Sequence, residues 1–162
     1  MKQIVVVRHV SAAPAEANMG DFVREITPVG ERHARYFARR LAERRLVPQH
    51  IICSDAVRAI QTSEVFSAES GYGGEIDANP DLYDATEETW LDILRVLDDA
   101  LDRVMIVGHN PAVEALVHLL TGNHHKLRAG AVAVIEIDSE SWRTVADSDA
   151  VQLLTLIEPT DA

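Results

Sequence analysis

The stretch "QIVVVRH", residues 3–9, joins an apolar run to an arginine and a histidine. Residues 4–7 are apolar and mostly β-branched without interruption, which is typical of a strand covered on both faces by helices. Arg8 and His9 follow directly, where such a strand should end. In an open α/β sheet, functional groups gather beyond the carboxyl ends of the strands, so we predict that this pair belongs to a functional site.

The rest of the chain alternates between strand and helix patterns. Further apolar runs predict strands over 50–54, 104–108, 131–137 and 151–157. Helical patterns cover 28–46, 55–68 and 86–101, and a fourth follows "HNP" at 109–111. Thr27 and Asn110 each precede a proline and are predicted to cap the helices that follow. We therefore predict a three-layer α/β/α fold with a mostly parallel central sheet, helices on both faces and an antiparallel edge near the C-terminus.

Composition limits the class of protein. A length of 162 residues, 47% hydrophobic and 25% charged, predicts one globular domain over residues 1–162. The net charge of −11 argues against general binding to nucleic acid or to an anionic membrane. Cys53 is the single cysteine, which excludes an internal disulfide, and the N-terminal apolar run is too short for a signal segment. We expect a cytoplasmic protein.

Two more segments place cationic groups at the same edge of the predicted sheet. His109 ends the strand pattern "VMIVGH", and Arg58 lies in the first turn of the helix after the strand that ends at Ser54. Together with Arg8 and His9 they form a cluster that repels itself unless an anion binds within it. Guanidinium groups match phosphate oxygens, so we predict a phosphate site. One neutral imidazole could attack phosphorus while the other donates a hydrogen bond to the charge that develops on the phosphoryl oxygens.

These motifs resemble the histidine phosphatase superfamily, also called phosphoglycerate mutase-like. The similar segments, in order, are "RHV" (8–10), "ITPVGERHA" (26–34), "SDAVRAIQT" (54–62) and "VGHNP" (107–111). The resemblance implies that His9 is the nucleophile that becomes phosphorylated, that Arg8 and Arg58 bind the phosphoryl group, and that His109 completes the catalytic pocket. Because fixed positive charge can do the work that magnesium does elsewhere, we expect no metal and no cofactor.

The short chain is most similar to the SixA-type branch, whose members remove phosphate from phosphohistidine in signalling proteins. Relatives that cleave phosphate esters use a glutamate soon after a leucine as general acid. Here the segment is "NPDLYDATEET" (79–89), in which Asp84 is the nearest candidate acid, followed by Glu87 and Glu88. An alkoxide leaving group needs such an acid, whereas imidazole, with a conjugate-acid pKa of about 6.5, does not. The poor match therefore favours phosphohistidine, and a phosphohistidine-bearing protein as partner.

Two alternatives to a phosphohistidine phosphatase stay open. A small-molecule phosphomonoesterase of the same superfamily would use Asp84 or Glu87 as the acid on a small phosphorylated substrate. A non-catalytic phosphoprotein-binding module is favoured if Val10, in place of the usual small residue, obstructs attack. Asp55, in place of the usual proline, adds negative charge near the phosphate.

Two other features have simpler interpretations. "CSDAVR" (53–58) has four residues between cysteine and arginine, one fewer than a cysteine phosphatase loop, so Cys53 is predicted to be a buried structural thiol. The arginine-rich helix 31–45 is typical of a solvated face, and docking of an acidic partner protein is the alternative.

Overall fold

A six-stranded mixed sheet forms the centre of the molecule in a computed structural model that describes residues 1–16 and 18–161. The strand order is β3-β2-β4-β1-β5-β6. The strands are β1 (Lys2–Arg8), β2 (His50–Ser54), β3 (Ile76–Asn79), β4 (Arg103–Gly108), β5 (Val132–Ile137) and β6 (Val151–Ile157).

Helices cover both faces of the sheet, as the apolar strand β1 requires. Ile4 and Val6 pack in the core beneath α3 and α4, and Val5 and Val7 pack in the core beneath α1 and α2. This confirms the predicted three-layer α/β fold. The helices are α1 (Pro28–Glu43), α2 (Val57–Ser70), α3 (Glu87–Arg95) and α4 (Ala112–Thr121), with short 3₁₀ helices at Asp21–Val23, Pro80–Leu82, Trp142–Asp147 and Pro159–Asp161.

The three central strands run in parallel, so their carboxyl ends meet at one edge. Arg8 of β1 lies opposite Gly108 of β4, and Cys53 of β2 lies opposite Val107. The last two strands are antiparallel, β5 against β1 and β6 against β5, which confirms the predicted antiparallel edge. This register brings the residues that follow β1, β2 and β4 to the same rim.

Helix α1 begins as predicted and lies against the loop after β1. The Thr27 hydroxyl accepts a hydrogen bond from the Gly30 N–H at 3.0 Å and caps the helix. A Cβ atom on Gly30 would lie 2.3 Å from the Ser11 carbonyl oxygen and 3.0 Å from a Val10 methyl group. Only glycine allows α1 to approach this closely.

Three local predictions differ from the structure. Strand β3 was not predicted, because "IDAN" (76–79) has neither an apolar run nor a clear alternation. Helix α3 ends at Arg95 and not near residue 101, since the Asp98 carboxylate accepts the Ala100 N–H and turns the chain towards β4. Asn110 does not cap α4, because its side chain donates instead to the Leu127 carbonyl oxygen at 2.9 Å and to Glu114.

No helix in the described part of the chain has the length and apolar character needed to cross a membrane.

Candidate active site

The rim of the central strands brings His9, Arg58 and His109 into one cluster, with Arg8 beside them. The ring centroids of the two histidines are 5.2 Å apart, and the Arg58 Nε atom lies 3.4 Å from the His9 Nε2 atom. His9 and Arg58 are only 8% and 5% exposed. His9 and Arg58 are therefore held largely away from bulk water, and the four residues that the sequence analysis singled out lie at one rim.

The surrounding backbone fixes the orientation of His9. Its Nδ1 atom lies 2.8 Å from the Val10 carbonyl oxygen, which can only accept, so Nδ1 carries the proton and the Nε2 lone pair accepts from the Arg58 Nε–H at 3.4 Å. The His9 carbonyl oxygen accepts from the N–H of Gly130, whose φ of +88° favours glycine. Burial, followed by the nearby charges of His109, Arg58 and Arg8, lowers the pKa of His9 to about 3. At neutral pH the ring is thus uncharged.

His109 is held by the end of strand β2. Its Nε2 atom lies 2.8 Å from the Ser54 hydroxyl oxygen, which also accepts the Ala56 N–H at 3.1 Å. The Ser54 oxygen can accept a second hydrogen bond or donate its own proton, so the ring proton of His109 lies on Nε2 in the first case and on Nδ1 in the second. That Nδ1 atom is buried and has no partner within the described part of the chain. Burial and Arg58 lower the pKa of His109 to about 4.

Arg8 supplies a further unpaired donor. One terminal nitrogen donates to the Leu127 carbonyl oxygen at 3.1 Å, while the buried Nε atom finds no partner among the described residues. Burial lowers the pKa of this guanidinium group, an effect that the charge of Glu114 opposes. A partly desolvated cation with an unused N–H next to Arg58 and His109 is suited to a phosphoryl oxygen.

Asp21 belongs to the site and was missed by the sequence analysis. Its side-chain oxygen Oδ2 and its backbone oxygen accept from the two terminal nitrogens of Arg58 at 2.9 and 2.8 Å. Tyr83 donates its hydroxyl proton to the same carboxylate, and Arg24 donates at 2.8 Å. Hydrogen bonds from Tyr83, Arg24 and Arg58 hold the pKa of Asp21 well below its usual range. The contact joins residues 37 positions apart, so no local pattern could reveal it.

The candidate acid Asp84 lies beside the cluster. It is exposed, on the loop between the 3₁₀ helix Pro80–Leu82 and α3. Its charge acts on His109 and favours the protonated ring, an effect weaker than burial and Arg58. Glu87 and Glu88 lie in the first turn of α3. The charge of Asp84 is therefore close enough to the pocket to act on His109. Arg58 forms its ion pair with Asp21 and not with Asp84.

The two departures from the family pattern, Val10 and Asp55, differ in their surroundings. Val10 is fully buried in the core beneath α1, packed with Val5 and Val7. Asp55 has one buried carboxylate oxygen without a hydrogen-bond partner in the described chain. Cys53 is a buried free thiol whose pKa burial raises to about 11, which confirms its prediction as a structural residue.

Residues 4–95 match the model of the histidine phosphatase superfamily (branch 1). This match covers more than half of the chain. The chain belongs to the histidine phosphatase superfamily. Among curated proteins it is similar to an uncharacterised Picosynechococcus protein, 27% identical over 97% of this chain and 96% of that one. A chloroplast protein of Arabidopsis thaliana, also uncharacterised, is 25% identical over 87% of this chain and 69% of its own length.

Solved structures of this superfamily share the fold over nearly the whole chain. A candidate phosphohistidine phosphatase, SixA of Agrobacterium tumefaciens, is 25% identical, with a TM-score of 0.84 and 98% of both chains covered. A SixA protein histidine phosphatase complexed with tungstate also has a TM-score of 0.84, at 22% identity over 98% of both chains. A candidate alpha-ribazole-5'-phosphate phosphatase of Escherichia coli has a TM-score of 0.70 at 12% identity, again over 98% of both chains. The SixA-type histidine phosphatases are thus the members that this chain resembles, and the comparisons support phosphatase activity.

Proposed function

We propose that the protein is a phosphohistidine phosphatase that works through a phosphorylated His9. The observation that carries this proposal is the tautomer of His9: Nδ1 is bound to the Val10 carbonyl oxygen, and the Nε2 lone pair lies 3.4 Å from the Arg58 Nε atom. A group that binds phosphate is thus adjacent to the atom that would attack phosphorus. Burial keeps that atom unprotonated, which removes the need for a separate base.

In the first step, the His9 Nε2 lone pair forms a bond to phosphorus while the bond from phosphorus to the leaving group breaks. Arg8, Arg58 and His109, in the tautomer that carries its proton on Nδ1, donate to the three phosphoryl oxygens, where negative charge is spread in the transition state. Fixed donors in a partly desolvated pocket stabilise that charge with little reorganisation.

In the second step, water attacks the phosphorus atom and the bond from phosphorus to His9 breaks. The electron pair returns to Nε2, and because Nδ1 already carries a proton, His9 leaves as a neutral imidazole. The Val10 carbonyl oxygen holds that proton in place. The second step therefore needs no acid for its leaving group.

The same chemistry favours phosphohistidine as substrate. A substrate imidazole protonated on its other nitrogen departs as a neutral ring, whereas an alkoxide requires a proton from a placed acid, worth about 10²–10⁴-fold in rate. Asp21 is an unsuitable acid, since its low pKa keeps it ionised. The resemblance to SixA proteins supports this substrate class, and a phosphohistidine-bearing protein is the proposed partner.

A substrate comparison tests the proposal. The purified protein should release phosphate from a phosphohistidine peptide with a kcat/KM at least about ten-fold above that for an aryl phosphate or a sugar phosphate. His9→Ala should abolish both activities, while His118→Ala, which changes an exposed histidine on α4, should leave them unchanged. Equal or faster ester hydrolysis would contradict the proposal, and its loss in Asp84→Asn would identify a small-molecule phosphomonoesterase.

A further inference from the structure

Two aromatic side chains lie beside the pocket and have no role in the mechanism above. Phe22, on the 3₁₀ helix Asp21–Val23, packs edge-to-face on Tyr83 with ring centroids 5.2 Å apart. Tyr83 in turn packs edge-to-face on His109 at 5.7 Å. A continuous row of rings therefore leads from the buried His9, through His109 and Tyr83, to Phe22, which is 37% exposed.

The side chains that surround Arg58 also fix the position of this row of rings. The Tyr83 hydroxyl donates to the Asp21 carboxylate, which binds Arg58, and the guanidinium carbon of Arg58 lies 5.9 Å from the centre of the Tyr83 ring. Tyr83 is thus fixed relative to the phosphoryl group that Arg58 would bind. A planar group next to that phosphoryl group would meet a preorganised aromatic wall.

The direction of attack places the leaving group on the exposed side. In an in-line displacement the leaving atom lies opposite the attacking nitrogen. His9 is 8% exposed and Phe22 is 37% exposed, so the row of rings runs from the buried His9 towards solvent. A leaving group that extends towards solvent along this row would meet Tyr83 and Phe22.

Two carboxylates near the row of rings offset part of the positive charge of Arg8 and Arg58. Asp21 and Asp84 both act on His109 in the sense that favours its protonated form. Both carboxylates are near the row of rings, Asp21 through its hydrogen bond to Tyr83 and Asp84 as the next residue in the chain. Their effect on His109 is smaller than that of burial and Arg58, which lower its pKa to about 4.

We propose that Phe22 and Tyr83 form a leaving-group subsite, which binds the imidazole ring of a phosphohistidine substrate by edge-to-face contacts. This inference rests on the proposed function and assigns the selection of substrate to two named side chains. When His9 takes the phosphoryl group, the bond from phosphorus to the substrate nitrogen breaks and its electron pair stays on that nitrogen. The proton on the other nitrogen of the substrate ring makes the departing ring a neutral imidazole.

The test compares two donors that differ in the leaving group. Phosphohistidine peptide releases an imidazole ring, whereas phosphoramidate releases ammonia and has no ring to bind. Phe22→Ala should lower kcat/KM for the peptide about three- to ten-fold more than for phosphoramidate, the range expected for the loss of one aromatic contact. Phe22→Tyr keeps the ring and should keep the wild-type ratio of the two activities. Leu119→Ala, at an exposed apolar position on α4, is the matched control and should change neither activity.

The outcomes separate the subsite from the proposed function. If Phe22→Ala lowers both activities equally or changes neither, the subsite is overturned while the phosphatase assignment stands. If Phe22→Tyr lowers the ratio of peptide to phosphoramidate kcat/KM as much as Phe22→Ala does, the aromatic ring is not the recognised feature and the subsite is again overturned. If the wild-type protein releases phosphate from neither donor, the proposed function fails, and the subsite fails with it.

Discussion

The chemistry of the site at the scale of single residues depends on one proton on His9. The Val10 carbonyl oxygen holds that proton on Nδ1, and burial disfavours a second proton on Nε2. The Val10 carbonyl oxygen and burial thus keep Nε2 unprotonated, which is the task of an adjacent general base in other sites. The sequence could predict that His9 lies at the rim, because the apolar run of β1 ends just before it. The tautomer could not be predicted, because it depends on the turn at Val10.

The low pKa of His9 predicts a pH dependence of stability. In the unfolded chain His9 binds a proton below about pH 6.5, whereas in the folded protein it stays neutral until about pH 3, so its protonation favours unfolding between these values. Between pH 7.5 and 5.0 the wild type should lose about 2 kcal/mol more unfolding free energy than His9→Asn. Urea unfolding at both pH values measures this difference.

His118→Asn is the control for that measurement, because it removes an exposed histidine on α4. Its loss of stability with falling pH should follow the wild type. If His9→Asn also lost stability in parallel with the wild type, His9 would not be held neutral by the fold.

Asp21 is a residue of the site that the sequence could not predict. The carboxylate has no apolar pattern around it and no motif, and it reaches Arg58 only because the loop before α1 folds over the start of α2. Arg8, His9, Arg58 and His109 could be predicted since each follows or lies close to a strand end. Asp21 could not, because loops carry no periodicity.

At the scale of elements, the close approach of α1 positions the loop after β1. Gly30 lies against the Ser11 carbonyl oxygen, and Val10 fills the core between β1 and α1. Val10 therefore acts in packing, behind the pocket. The family pattern alone suggested a smaller residue there, and only the packing shows where the valine methyl groups lie.

Gly30→Ala should be destabilising although alanine is the better helix former. The new Cβ atom would lie 2.3 Å from a backbone oxygen that cannot move without displacing the loop that holds His9. We expect a loss of about 1–3 kcal/mol in unfolding free energy, measured by urea denaturation, together with a lower kcat/KM. Gly20→Ala is the matched control, since nothing lies within 4 Å of the added atom. Equal stability of the two variants would contradict the packing described for α1.

Strand β3 shows a second limit at this scale. Ile51 and Ile76 pair in parallel at the sheet edge, yet the sequence of β3 has too few apolar residues to indicate a strand. Its edge position explains this, because an edge strand needs less apolar surface than the central strands β1 and β4. The central strands, covered on both faces, were predicted from their apolar runs alone.

At the scale of the whole molecule, charge is distributed unevenly. The chain carries a net charge of −11, yet Arg8 and Arg58 meet at one rim of the sheet. The arginines of α1 differ from these in exposure, since Arg35 and Arg39 lie at the surface and pair with Glu31 and Glu69 at 2.9 and 2.7 Å. Their ion pairs support the interpretation of that helix as a solvated face. At the rim, Arg58 is buried and pairs with Asp21, while the buried Nε atom of Arg8 has no partner among the described residues.

The central claim is that phosphate passes through His9, and rapid-quench analysis of the phosphorylated protein tests it most directly. The wild-type protein is mixed with a phosphohistidine peptide carrying labelled phosphate, quenched in alkali within milliseconds and analysed by mass spectrometry of its peptides. We predict label on the peptide that contains His9, attached at Nε2, appearing before free phosphate and absent in His9→Ala. Release of phosphate from the substrate without label on His9, or release that persists in His9→Ala, would contradict the account.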